Sequence, residues 1–238
     1  MERIVAMGGG GFSMEPRNPR LDRWILGLAR KARPKIAFLA TASGDSQRYI
    51  KKFYRAFSRL DCLPSHLELF NREVADLRAF ILPQDLVYVG GGNTASMLAV
   101  WRTHGMDSIL CEAWREGVLL CGISAGALCW FEAGVTDSFG PRLQPLHDGL
   151  GLLPGSFCPH YDGEALRRPT FHESIGTGSI PPGYAADDGA ALLFEGQQVA
   201  DLVASRPRAR GYRVERISEG VREIELPTRK LNRAGRTG

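Results

Sequence analysis

The 238-residue chain reads as an α/β protein with a mainly parallel central sheet flanked by helices on both faces. Three observations predict it. Short apolar runs recur along the chain, each bounded by glycine or a small polar cluster, as buried strands require. Segments of helical periodicity lie between them, long enough to serve as crossover helices. The composition, 44% hydrophobic and 24% charged, is that of a globular chain, and at this length folding buries roughly 70% or more of the surface that the unfolded form exposes.

Taken in order, residues 4–7 form the first apolar run, which reaches Gly8 too soon to serve as a signal-peptide core. Residues 19–31 carry a helical pattern, 36–40 a second strand, 47–60 a helix and 86–89 a third strand. Two helical stretches follow at 94–104 and 106–116, and 118–121 is the next strand. After Val135 the pattern loosens into loops containing glycine and proline, with 191–194, 199–203 and 213–217 as final strands. A single domain over 1–226 is expected, followed by a basic, disordered tail over 227–238, rich in Arg, Gly and Thr without periodicity.

The net charge of +4 is uneven: from Arg206 onward ten Lys and Arg face four Glu, a balance of +6, which leaves about −2 on the rest. By charge the body is not a nucleic-acid-binding surface. Cys62, Cys111, Cys121, Cys129 and Cys158 are an odd set without a C-x-x-C pair, so neither a disulfide framework nor a structural zinc site is indicated and a reducing cytoplasm is expected. No run of ~18 apolar residues suggests a membrane span.

Chemistry concentrates at Gly122-Ile123-Ser124-Ala125-Gly126, a G-x-S-x-G between an apolar strand and a helix-compatible run. A sharp strand-to-helix turn needs small neighbours and lifts the serine hydroxyl clear of the sheet, at the start of a helix whose free N–H groups favour an oxyanion. Gly90-Gly91-Gly92-Asn93-Thr94 follows another strand, where Gly91 or Gly92 with the Ala125 amide would form an oxyanion hole. A phosphate cradle is the rival, but no Lys-Ser/Thr follows and G-x-G-x-x-G is broken. Gly8 to Gly11 has the same form and could line the same rim, with a simple tight loop as the favoured reading.

A serine nucleophile needs an imidazole partner and a carboxylate to orient it. His66, His104 and His172 sit in helical or surface patterns, whereas His160, stiffened by Pro159, and His147, in a loop, are the candidates. For the acid, Asp187 and Asp188 stand on a turn entering a strand, and Asp137 competes with them, while Glu132 and Asp162 read as solvated or structural.

GGGNT at 90–94, GISAGA at 122–127, PHYD at 159–162 and DDGAAL at 187–192 together resemble, in order and spacing over roughly residues 1–217, the peptidase E family of serine peptidases. The resemblance implies a class I glutamine amidotransferase-like fold, a flavodoxin-like three-layer sandwich. It implies Ser124 as nucleophile, His160 as general base and Asp188 as the acid where that family carries glutamate, with Asp137 second. Arg168 or Arg167 would pair with a substrate carboxylate, with Asn93 also in the substrate site, and an arginine fork suits that task. The expected function is hydrolysis of short peptides by acyl transfer, foremost dipeptides with an N-terminal aspartate, in a cytoplasmic monomer or homodimer without metal or cofactor, acting on neither nucleic acid nor membranes. The alternatives are an amidase or cyanophycinase-like hydrolase and a non-catalytic small-anion-binding protein on the same fold.

Overall fold

The apolar runs do become strands. In the computed structural model, which describes residues 1–232, β1 (Arg3–Met7), β2 (Lys35–Leu39), β3 (Leu63–Leu67), β4 (Leu86–Val89) and β5 (Leu119–Ile123) lie parallel in the order β1-β5-β4-β2-β3. Beyond β1 the sheet continues with antiparallel β10 (Ala190–Glu195) and β11 (Gln198–Ala204). In β1, Ile4 and Ala6 face one apolar core while Val5 and Met7 face the other. This period of two, with both faces covered, explains why the central strands read as unbroken apolar runs.

One face is covered by α1 (Gly11–Met14), α2 (Arg20–Leu28) and α3 (Gln47–Phe57), whose Leu21, Ile25, Phe53 and Phe57 pack on Val5, Phe38 and Tyr88. The opposite face receives α4 (Leu77–Ile81), α5 (Thr94–His104), α6 (Met106–Arg115) and α7 (Ala125–Leu128). It also receives a second sheet. This sheet is built from β6 (Phe131–Thr136), β7 (Gln144–Leu146), β8 (Leu153–Cys158), β9 (Gly183–Ala186), β12 (Gly211–Ile217) and β13 (Gly220–Glu225), in the order β13-β12-β9-β8-β6-β7. Phe131 and Phe157 carry its inner surface into the main core, and α8 (Arg167–Gly176) closes its outer side through Phe171 and Ile175.

The second sheet corrects the expectation of loops after Val135. Its strands are short, contain Gly134, Pro145, Pro154 and Gly155, and are only partly buried, so they lack the unbroken apolar signature of the central strands. The first part of the expected tail is structured: β14 (Arg229–Lys230) pairs in parallel with the end of β11, and Leu231 packs on the core beneath α2 and α3. Residues 233–238 of that segment lie outside the described residues. Among the described residues no helix is long and apolar enough to cross a membrane.

The two sheets exchange the chain between β9 and β10, and Asp187-Asp188-Gly189 is that passage. It runs beside the carboxyl end of β1, one strand from the carboxyl end of β5.

Candidate active site

Ser124 follows β5 and occupies the N-cap position of α7 with φ 58° and ψ −118°, a sparsely populated conformation for a residue with a side chain. Such a conformation costs about 1–3 kcal/mol and persists only where its surroundings over-determine it. Here the packing does so. A Cβ on Gly122 would overlap the Gly126 carbonyl, and one on Gly126 would overlap the Val89 carbonyl at the end of β4. Both motif glycines are therefore demanded by the close approach of β4, β5 and α7. Ser124 itself stays partly exposed.

His160 follows β8 and also has a positive φ, 54°. Its position is tied to that of Ser124 through β1: the Ser124 N–H donates to the Met7 carbonyl at 3.2 Å, and the His160 N–H donates to the next carbonyl, Gly8, at 3.3 Å. Consecutive residues lie about 3.8 Å apart along a chain, so both residues are anchored to neighbouring positions at the carboxyl end of β1. The imidazole Nδ1 is 2.6 Å from Asp188 Oδ1, with the two side chains 13% and 14% exposed. A carboxylate at Nδ1 accepts from the ring N–H, keeping the proton on that nitrogen and leaving Nε2 as the basic one.

Burial would push the Asp188 carboxyl up, but the hydrogen bond and charge of His160, with the nearby Arg206, outweigh it and hold the group below the ordinary carboxylate value. Asp187 points elsewhere. It accepts from the Arg210 N–H at 2.9 Å, is buried, and burial together with Asp162 raises it to about 6. Asp137, the second candidate, is 62% exposed and stands 3.9 Å from Arg167 Nη2, away from His160, because β6 carries it toward α8. His147 is exposed just beyond β7, at the edge of the second sheet.

The triglycine loop does reach the serine: a Cβ on Gly91 would stand 3.7 Å from Ser124 Oγ. The Gly91 N–H, however, donates to the Tyr49 hydroxyl at 3.3 Å, and that hydroxyl is 3.0 Å from Ser13 Oγ. Of the two loop amides that leaves Gly92. Asn93 is an N-cap rather than a free ligand: its Oδ1 accepts from the Ser96 N–H at 2.8 Å and its Nδ2 donates to the Ser138 carbonyl at 3.0 Å.

Both arginines expected at a substrate carboxylate are engaged within the chain. Arg167 is buried, donating to Glu164 at 2.6 Å and to the Val135 carbonyl at 2.9 Å. Arg168 pairs with Glu223 of β13 and stacks over Tyr161 and Tyr212 at 5.2 and 5.3 Å. Glu223 also holds His172 and the Tyr161 hydroxyl, at 2.9 and 2.6 Å.

Three contributors were not assigned to the site from the sequence. Gly8 and Gly9, expected as a simple loop, form the strap to which His160 and the Asp188 passage attach, continuing from the Met7 carbonyl that holds Ser124; Gly9 bridges Asp188, and its carbonyl accepts from the Gly189 N–H at 2.9 Å. Asp162, expected to be solvated or structural, accepts from the Asp188 N–H at 2.8 Å. Arg206 donates to the Asp188 carbonyl at 2.6 Å. Among the described residues no three His, Cys, Asp or Glu side chains converge as metal ligands.

The chain is similar to known proteins over most of its length. The model of peptidase family S51 matches residues 4–202. The uncharacterized peptidase YgaJ of Bacillus subtilis (strain 168) is 55% identical over 231 residues, covering 97% of this chain and 100% of that protein. Peptidase E of Pasteurella multocida (strain Pm70) is 24% identical over 85% of this chain and 89% of its own length. Among solved structures, a peptidase from an acI-B1 actinobacterium superposes with a TM-score of 0.68 at 16% identity, covering 96% of this chain and 95% of that one, and shares the fold.

Proposed function

The chain belongs to peptidase family S51 and is a peptidase, and from that premise we propose that it hydrolyses short peptides by a serine mechanism. Ser124 Oγ attacks the scissile carbonyl as His160 Nε2 takes its proton. The ring returns that proton to the leaving amine, and water then releases the acyl group by the same route in reverse order. Asp188 keeps the ring in the required tautomer and stabilises its charged form. The Gly92 and Ala125 amides are the donors suited to the developing oxyanion, one on the loop that lines Ser124 and one at the start of α7.

The observation that carries this reading is the shared support. A strained serine and a histidine already bonded to Asp188 are tied to the carbonyls of Met7 and Gly8, at and just past the end of β1. A tight turn with a capping serine requires no imidazole–carboxylate pair anchored to the next residue of the chain.

For substrate, dipeptides with an N-terminal aspartate remain the first choice, by likeness to proteins named peptidase E. The engagement of Arg167 and Arg168 favours a second reading, a hydrolase of short peptides or amides with weaker demand for an acidic side chain. The test is turnover by the purified chain on matched Asp-X, isoaspartyl, neutral dipeptide and simple amide substrates. Ser124→Ala should lower kcat by about 10⁴-fold or more on whichever substrate is cleaved, with the fold intact by circular dichroism. Undiminished turnover in that variant would remove the serine mechanism. Equal rates on acidic and neutral dipeptides would remove the aspartyl preference.

A further inference from the structure

The β10–β11 hairpin places one more residue at the triad. Its register pairs Ala190 with Ala204, Ala191 with Val203 and Leu192 with Leu202, and continuing that register two residues sets Asp188 opposite Arg206. The contact is made. Arg206 Nε donates to the Asp188 carbonyl at 2.6 Å, and Arg206 Nη2 reaches Asp162 Oδ2 at 3.0 Å. Asp162 Oδ1 in turn accepts from the Asp188 N–H at 2.8 Å. Both backbone groups of Asp188 are thus gripped by one ion pair, closing a ring from Asp188 through Arg206 and Asp162 back to Asp188. The Ser205 N–H, donating to the Gly189 carbonyl at 2.8 Å, stitches the neighbouring residues together.

The ring matters because an aspartate has a single methylene between backbone and carboxylate. Its backbone must come close to His160 for a 2.6 Å contact with the ring. The walls are cut back to allow this: a Cβ on Gly9 would overlap Asp188 Oδ1, and one on Gly163 would overlap Oδ2. Without side chains at these positions the carboxylate has room to enter, and equally room to drift. Something else must set its position.

Resting on the serine reading above, we propose that Arg206 and Asp162 act as a clamp on the backbone of Asp188, so that Arg206 is a positioning residue for the triad acid. The ion pair is 40% and 45% exposed, and pairs that accessible add little to global stability. Its consequence is geometric. A small displacement of the acid tilts the imidazole away from the serine, and misplacement on that scale costs turnover far more than substrate binding.

The test uses the full chain and two readouts. The first needs no substrate: the low-field proton resonance of the His160 Nδ1–H to Asp188 bond in NMR, identified by its loss in Asp188→Asn. Arg206→Met should abolish or broaden that resonance, and Asp162→Asn should do the same from the other end of the ring. The second readout is kinetic. Each variant should lower kcat by about 10–100-fold with KM within about twofold. The double variant should be no worse than the poorer single one, since both open the same ring. Arg206→Lys, which keeps the charge but not the planar fork, should recover only part of the loss. Melting points should fall by less than about 4 °C, which separates displacement from unfolding.

An intact resonance with unchanged kcat in Arg206→Met would overturn the clamp. A rise in KM alone would overturn it as well, making Arg206 a substrate ligand instead. Ser124→Ala, run beside these, tells the two failures apart: full activity there removes the serine reading, whereas the resonance decides the clamp without any turnover.

Discussion

The elbow at Ser124 and the corner at Asp188 hold their residues by different physics. At the elbow, the positive φ of Ser124 follows from steric packing among β4, β5 and α7, where Gly122 and Gly126 leave no room for a side chain. At the corner, Asp188 is set by polar contacts from distant segments: His160, Asp162 and Arg206, with Gly9 as the strap beneath. A sterically determined site is specified within a few residues and fails by misfolding. A site determined by polar contacts draws on the whole fold and fails by losing alignment.

The largest effect that would sharpen this contrast is Asp188→Asn, which keeps the shape and removes the charge. It should lower kcat by about 10³–10⁴-fold in steady-state assays at neutral pH. Because Asp188 is held below the ordinary carboxylate value, it stays ionised well into the acid range, so the wild-type acid limb should not arise from its protonation.

The next comparison pairs two glycines. Gly126→Ala drives a Cβ into the Val89 carbonyl and should destabilise folding by about 1–3 kcal/mol or more, seen as a lower denaturation midpoint. Gly163→Ala meets only the Asp188 carboxylate on an exposed turn, so it should cost up to about 100-fold in kcat while leaving that midpoint nearly unchanged. Equal loss of stability in both would erase the distinction between elbow and corner.

A smaller effect lies beneath the strap. Asp22 of α2 accepts from the Phe12 N–H at 3.1 Å, and burial chiefly raises it to about 7 from the ordinary 3.8. Its folded form therefore holds a proton more tightly than the unfolded chain does. The associated stability is fully present below about 3.8 and is lost as pH rises through about 7. Asp187, raised to about 6, acts in the same direction, while groups held low, such as Asp188 and Asp85, lose their contribution as acid protonates them. Thermal stability should accordingly be greatest on the acid side of neutrality. Asp22→Asn, which keeps the acceptor for Phe12, should raise the melting point at pH values above about 7 and flatten its pH dependence. The smallest effects belong to Asp137→Asn and His147→Ala, whose side chains are exposed and away from His160. Activity in each should stay within about twofold of wild type in the same assay.

Ser124 was legible from a window of eleven residues because strand, small-residue turn and helix are local properties with a local signature. The parallel order of the central strands followed from apolar runs whose two faces are both buried. His160 led His147 only narrowly on local grounds, through the apolar run and the proline before it, and resemblance to a family widened the gap. The choice among Asp137, Asp187 and Asp188 had no local answer: all three are acidic residues near strand ends, and side-chain direction there depends on partners far along the chain. Arg167 and Arg168 looked available because Val135 and Glu223, which occupy them, lie 32 and 55 residues away.

Chain pattern alone therefore determined the layered α/β architecture and the strained serine, since strand period, glycine placement and helix start act over one or two turns of backbone. Tertiary structure decided which carboxylate meets the imidazole, that the Gly91 amide is taken up by Tyr49, and that a second sheet delivers both His160 and Asp188. The physical reason is range: strand and helix periods and backbone preferences act between neighbours in sequence, whereas a hydrogen bond or ion pair joins whatever groups the completed fold brings within about 3 Å.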